Sequence, residues 1–113
     1  MRITDNIDIK IINRVAIIIM VGDISMEAIS EFSKHLKYSQ DSFDAAIFDM
    51  GGIIYLNSAM VGLLLEYCKK IKIKVVLPEK KIVSTVRNIV GLDDVMSIYS
   101  TYKDAIDSLN LVK

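Results

Sequence analysis

The sequence predicts a single α/β domain over 1–113, a mixed and mostly parallel β-sheet with about four helices in the order β-β-α-β-α-β-α-β-α. Three observations lead there. The apolar runs "VAIIIMV" (15–21), "AAIFDM" (45–50) and "IKVVL" (73–77) are short, nearly continuous and mostly β-branched, as strands buried on both faces are. Between them the apolar spacing changes to three and four, the period of a helix with one buried side. Ahead of them "NIDIKII" alternates, so the first connection is a hairpin and the later ones are helical crossovers.

In that first segment Ile7, Ile9 and Ile11 share one side and Asp8 and Lys10 the other, which reads as a half-exposed strand. Asn13 and Arg14 offer a tight turn into the run at 15–21. "GDI" ends that strand, and Ser25 caps a helix over 26–38 with Glu27 in its first turn, where the dipole favours an acid. Met26, Ile29, Phe32 and Leu36 form its apolar stripe. Gly51 and Gly52 read as a breaker after the strand at 45–50.

A second helix is expected over 58–71, burying Met60, Leu64, Tyr67, Cys68 and Ile71, with Val61 and Leu65 widening that face and Lys69 and Lys70 in its last turn. Pro78 ends the next strand. Ile82, Val83, Val86, Ile89 and Val90 mark a third helix, stopped at Gly91. A short strand at 95–99 and a final helix to about 109, opened by the capping box of Thr101 and Asp104, complete the order. The central strands are 15–21, 45–49 and 73–77, and Ile17, Ile19, Ile47, Leu64, Val75 and Val86 are expected in the core.

Composition narrows the function. Lys and Arg number 14, as do Asp and Glu, with no basic stripe, which argues against a nucleic-acid partner. A hydrophobic fraction of 52% beside 25% charged residues is globular, not disordered. The single Cys68 excludes an internal disulfide and fits a reducing compartment. The first ten residues are charged throughout, unlike a signal region, and the longest apolar run is too short to span a bilayer. A cytoplasmic chain with no direct membrane insertion is expected.

Crossover connections should gather Asp23, Asp49 and the Asn57–Ser58 junction at the carboxyl ends of the strands, where such folds keep their sites. Hydrolysis at Ser58 would need a base, and the one histidine, His35, reads as a surface residue late in the first helix. Ser58 also lacks the flanking glycines of a nucleophile elbow. One Cys and one His on different helices make no metal site, and Cys68 reads as a small buried hydrophobe. Neither catalysis nor a metal or cofactor is therefore expected.

Asp49 could be a receiver-type phosphoacceptor, but the first strand ends in "INR" and supplies no acidic pair to hold the cation. Ser58 lies in the first turn of a helix, beside unpaired amides and the positive dipole end, where a phosphate is stabilised. On the residues alone two readings stand. Ser58 or Asn57 caps the helix, contributing ~1 kcal/mol, or Ser58 is itself the phosphoacceptor.

The order of elements and "FDMGGIIYLNSAMVGLLL" (48–65) resemble the STAS domain of bacterial anti-sigma factor antagonists. Asp49 matches the first Asp of that pattern, Tyr55 and Leu56 the pair before the loop, and Ser58 the serine that is phosphorylated. Ala59 matches the small residue after it and Gly62 the second Gly. "VGDI" (21–24) is similar to the family's Gly-Asp-hydrophobic turn. "NIVGLDDVMSIYSTYKDAI" (88–106) is similar to its ending, a Gly-Leu ahead of a short strand and a capped helix. Asn57 replaces the usual Asp and Met60 the first Gly. Asn remains a good cap, and removing a carboxylate beside Ser58 lowers repulsion against a phosphate.

The resemblance implies a switch, not an enzyme. Unphosphorylated, such a domain binds an anti-sigma factor that is also an ATP-dependent serine kinase, and so frees a sigma factor. Phosphorylation of Ser58 by that partner ends the complex, and a serine phosphatase resets it. Contacts to the partner are expected from Asp23, Met26, Asn57, Ser58, Ala59, Met60 and Gly62. Met26, Met60 and Met50 either form an adaptable apolar surface or fill the core. The alternative is an unmodified STAS scaffold in a stress-signalling assembly or a lipid-transporter complex.

Overall fold

In the computed structural model, which describes residues 2–54, 56–77, 97–99 and 101–108, six strands form one sheet in the order β1-β2-β3-β4-β5-β6. They are β1 (Arg2–Thr4), β2 (Ile7–Ile12), β3 (Val15–Gly22), β4 (Ala45–Ile53), β5 (Lys72–Val76) and β6 (Ser97–Tyr99). β1 is antiparallel to β2 and β2 to β3, and β3 to β6 are parallel. The described helices are α1 (Met26–Ser39), α2 (Ser58–Cys68) and α3 (Tyr102–Ser108), with a 3-10 turn at Gln40–Ser42. The hairpin and the two crossovers through α1 and α2 are those expected. β1 was not, because three residues are too few to show an alternation. Pro78, the helix expected around Val86, Gly91 and the end of the last helix lie outside the described residues.

The hairpin turn works because Asn13 and Arg14 both adopt left-handed backbone, at φ 51° and 63°, which matches the twist of the strands it joins. The Arg14 carbonyl accepts from the Asp44 amide at 3.0 Å, tying the turn to the chain entering β4. The Arg14–Asp44 ion pair beside it, at 3.2 Å, is exposed and adds little.

Alternation divides β3 and β4 between two layers. Ala16, Ile18, Met20, Ala46, Phe48 and Met50 face Ile29, Phe32 and Leu36 of α1 and Met60, Leu63, Leu64 and Tyr67 of α2. Val15, Ile17, Ile47 and Val76 form a smaller cluster with Ala105 of α3. Ile17, Ile47, Leu64 and Val75 are buried as expected.

Ile19 is not. It is 38% exposed and Val21 42%, so β3 is buried on both faces only over its first half. Both project on the Ile17 side, where the short α3 packs against β4, β5 and β6 and leaves the distal part of β3 uncovered. Met26 likewise leaves the α1 stripe and is 62% exposed.

Two boundaries also differ. Gly51 and Gly52 do not break β4, which continues to Ile53 through a bulge. Ile19 pairs with Asp49 and Val21 with Gly52, so two steps on β3 face three on β4. A Cβ on Gly52 would lie 2.9 Å from Val21 Cγ1, which explains the glycine. α2 stops at Cys68, so Lys69 is its C-cap and Lys70 lies beyond it. Cys68 is half-buried, and its thiol donates to the Leu65 carbonyl at 3.2 Å.

Among the described residues Tyr67 is the largest fully buried side chain, and its hydroxyl finds no hydrogen-bond partner there. Burial, reinforced by the Glu66 carboxylate, raises its pKa above the usual tyrosine value. A buried unpaired hydroxyl costs about 1–3 kcal/mol, so Tyr67→Phe should stabilise the fold by about 1 kcal/mol, read from denaturant unfolding. The raised pKa gives a second readout. Tyr67 contributes fully below the unfolded value near 10 and destabilises as pH rises through it, because only the unfolded chain ionises readily. The advantage of Tyr67→Phe should widen above pH 10. A less stable variant at neutral pH would show that the hydroxyl is satisfied.

Candidate functional site

The site grows out of two chain reversals, one after β3 and one before α2. At the first, Asn6 holds the strand end, its amide Nδ2 donating to the Val21 carbonyl at 2.8 Å and its own carbonyl accepting from the Val21 amide at 3.0 Å. Gly22 then turns away in left-handed backbone at φ 76°, where a Cβ would also press on Asn6 Nδ2 at 2.9 Å. The Gly22 carbonyl takes the Ile54 amide at 2.9 Å, which keeps β4 alongside. Ile24 is buried, Asp23 is exposed, and the Ser25 hydroxyl accepts from the Ala28 amide at 3.1 Å to cap α1.

At the second reversal the cap is Asn57. Its backbone is extended, and its Oδ1 accepts from the Met60 amide at 2.9 Å. Its Nδ2 donates to the Ile24 carbonyl at 2.9 Å, across 33 residues of chain. Ser58 is the first residue of α2 and is exposed, and its hydroxyl makes no hydrogen bond to a described residue. The two residues that sequence could not tell apart are thus separated. Asn57 holds the helix, and Ser58 is left free at its positive end.

Of the other residues singled out, Asp23, Met26, Asn57, Ser58, Ala59 and Gly62 fall along this end and the adjoining groove. Met26 of α1 and Ala59 and Gly62 of α2 line an open groove of about 520 Å³ between the helices. Ile29 and Leu63 also line it, with Lys34, Lys37 and Glu66 charged around it. The sequence reading missed these five. The signal lay in Ala59, Gly62 and Leu63, spaced three and four apart, which leaves one side of α2 unusually low.

Two expectations are corrected. Met60 is not on the surface. It is fully buried with Met50 in the core beneath α1 and α2, since the residue three beyond the cap turns toward the sheet. Asp49 is not at the end of a strand. It stands four residues before the end of β4, on the Ile47 side, and its Oδ1 accepts from the Gly51 amide at 3.0 Å, an amide freed by the bulge. Tyr55 lies outside the described residues. Among those described, no three His, Cys, Asp or Glu side chains are grouped so as to hold a metal.

A family model, the STAS domain, matches residues 6–105, which carry both reversals and the whole groove. The chain belongs to the STAS domain family. No curated protein matches the sequence. Among solved structures, this STAS domain is similar to the anti-sigma factor antagonist SpoIIAA in its unphosphorylated form, with a TM-score of 0.75 at 16% identity over 94% of this chain and 99% of that one. It is also similar to a putative anti-sigma factor antagonist from Thermotoga maritima, with a TM-score of 0.79 at 18% identity over 92% of this chain and 94% of that one. The Bacillus cell fate determinant SpoIIAA in the phosphorylated form gives 0.69 at 19%, over 91% and 98%. At such identities the likeness establishes the fold. No described helix of the STAS domain is long and apolar enough to cross a membrane.

Gly62 supplies a test. A Cβ there would meet nothing within 4 Å, so no packing inside the domain requires a glycine. Glycine within a helix costs about 0.5–1 kcal/mol relative to alanine. Gly62→Ala should therefore raise the unfolding free energy by that amount in urea titration, and a loss of stability would show that the groove floor is tighter than described.

Proposed function

We propose that this STAS domain is an anti-sigma factor antagonist, a ligand and substrate of other proteins and not itself an enzyme. The observation that carries the reading is the division of labour at 57 and 58. Capping is already performed by Asn57, so the exposed Ser58 hydroxyl can accept a phosphoryl group without loss of any bond that holds the fold. The nucleotide and the catalytic groups belong to the partner, an anti-sigma factor with serine kinase activity, and a serine phosphatase returns Ser58 to its free state. That the domain is similar to SpoIIAA structures in an unphosphorylated and in a phosphorylated form supports the same reading.

Unphosphorylated, Ser58 adjoins a surface of Asp23, Met26, Ala59 and Gly62, low and partly apolar, against which a partner can close. Phosphorylation adds about −1.5 to −2 charge there. The helix end stabilises the phosphate within the domain, while charge and bulk spoil the contact outside it. No backbone movement is needed. The whole chain then acts as one cytoplasmic domain with no nucleic-acid partner.

Three measurements test the proposal. Incubation with an anti-sigma kinase and ATP should place a single phosphate on Ser58 by mass spectrometry. Ser58→Ala should keep fold and binding but accept no phosphate. Ser58→Asp should unfold at nearly the wild-type temperature, because an acid at a helix start is favourable by about 0.3–1 kcal/mol, yet bind the kinase at least tenfold more weakly. If Ser58→Asp binds as tightly as wild type, Ser58 lies outside the contact and an unmodified scaffold role replaces the switch.

A further inference from the structure

Asn57 does more than cap α2, and its second bond singles out the amide form of this side chain. The carboxamide spends its acceptor on the Met60 amide and its donor on the Ile24 carbonyl, both at 2.9 Å. A carboxylate of the same shape could cap equally well, but it has no proton to donate and would set a negative oxygen against the Ile24 carbonyl. A serine could cap too, but its shorter side chain cannot span both groups. The Ile24 bond is therefore specific to asparagine at this position, while the cap is not.

The partners of that bond matter because of what adjoins them. Ile24 is buried between the exposed Asp23 and Ser25, and Met26 opens α1 two residues on. On the other side, Asn57 is followed by exposed Ser58 and half-buried Ala59. The turn at 23–25 is otherwise held by the Ile54 amide on Gly22 and by the Ser25 cap, both acting at its ends. Among the described residues, the Asn57 amide is the hydrogen bond that ties its middle to α2.

We propose that Asn57 is a positioning residue that couples the 23–25 turn to the start of α2, so that Asp23, Met26 and Ser58 meet a partner as one preformed surface. The inference rests on the docking role argued above. Preformation lowers the ordering cost of association, and losing it weakens binding without deleting a contact.

The test compares wild type, Asn57→Asp and Asn57→Ser, using amide hydrogen exchange on the free domain and titration with an anti-sigma kinase that binds wild type. Both variants retain the cap, so exchange at Leu63 and Leu64 in α2 should stay within about threefold of wild type. Exchange at Ala28 and Ile54, whose bonds bracket the turn, should accelerate at least tenfold, and kinase affinity should fall about tenfold, while Asn57→Gln recovers neither because its longer arm misplaces the amide. Unchanged exchange at Ala28 and Ile54 would overturn the coupling. Faster exchange with wild-type affinity would reduce Asn57 to a structural role. If wild type binds no such kinase, the docking role itself fails, and the exchange arm still decides whether the two turns are coupled.

Discussion

The period of two along β3 and β4 is the constraint to which the rest of the molecule answers. Because neighbouring residues point to opposite faces, the single run at 15–22 must serve two different layers at once. Ala16, Ile18 and Met20 meet two substantial helices, whereas Val15 and Ile17 meet the small Ala105 cluster. One face is deep and closed and the other shallow and incomplete. α1 and α2 lie side by side only because both are drawn to the same face, and the groove between them is a by-product of that shared burial.

The same constraint explains why α2 is so apolar and yet has a usable edge. Met60, Leu63, Leu64 and Tyr67 are committed to the core, which fixes the rotation of the helix about its axis. Ser58 and Gly62, each two residues and so about 200° from Met60, are then turned outward. A slip of two residues, about 200° of rotation, would bury Ser58 and expose Met60. The chemistry of the edge is thus set by the packing of the opposite side.

Much of this was legible in the residues. Three buried strands, the hairpin turn, the Ser25 cap and the inward positions of α1 followed from periodicity and from side chains whose local bonds are self-contained. What escaped detection depends on partners distant in sequence. An apolar run such as 15–21 does not disclose how far the helix above it reaches, so Ile19 looked buried. Two glycines look like a stop unless the neighbouring strand is known to hold Val21 against Gly52. Asn57 and Ser58 are equally good caps in isolation, and only the register of the first turn decides between them. Asp49 matched a family position, yet its carboxylate is engaged by a bulge that no local pattern announces.

The bond between Asn57 and Ile24 also has a bearing on the order in which the chain acquires its structure. The hairpin of β2 and β3 joins neighbours through a two-residue turn and can form early, whereas a contact across 33 residues must wait until β4 has docked in parallel and the crossover has closed. The surface around Ser58 is consequently among the last features to assemble. That surface exists only once the fold is complete, so a nascent or partly unfolded copy does not present it.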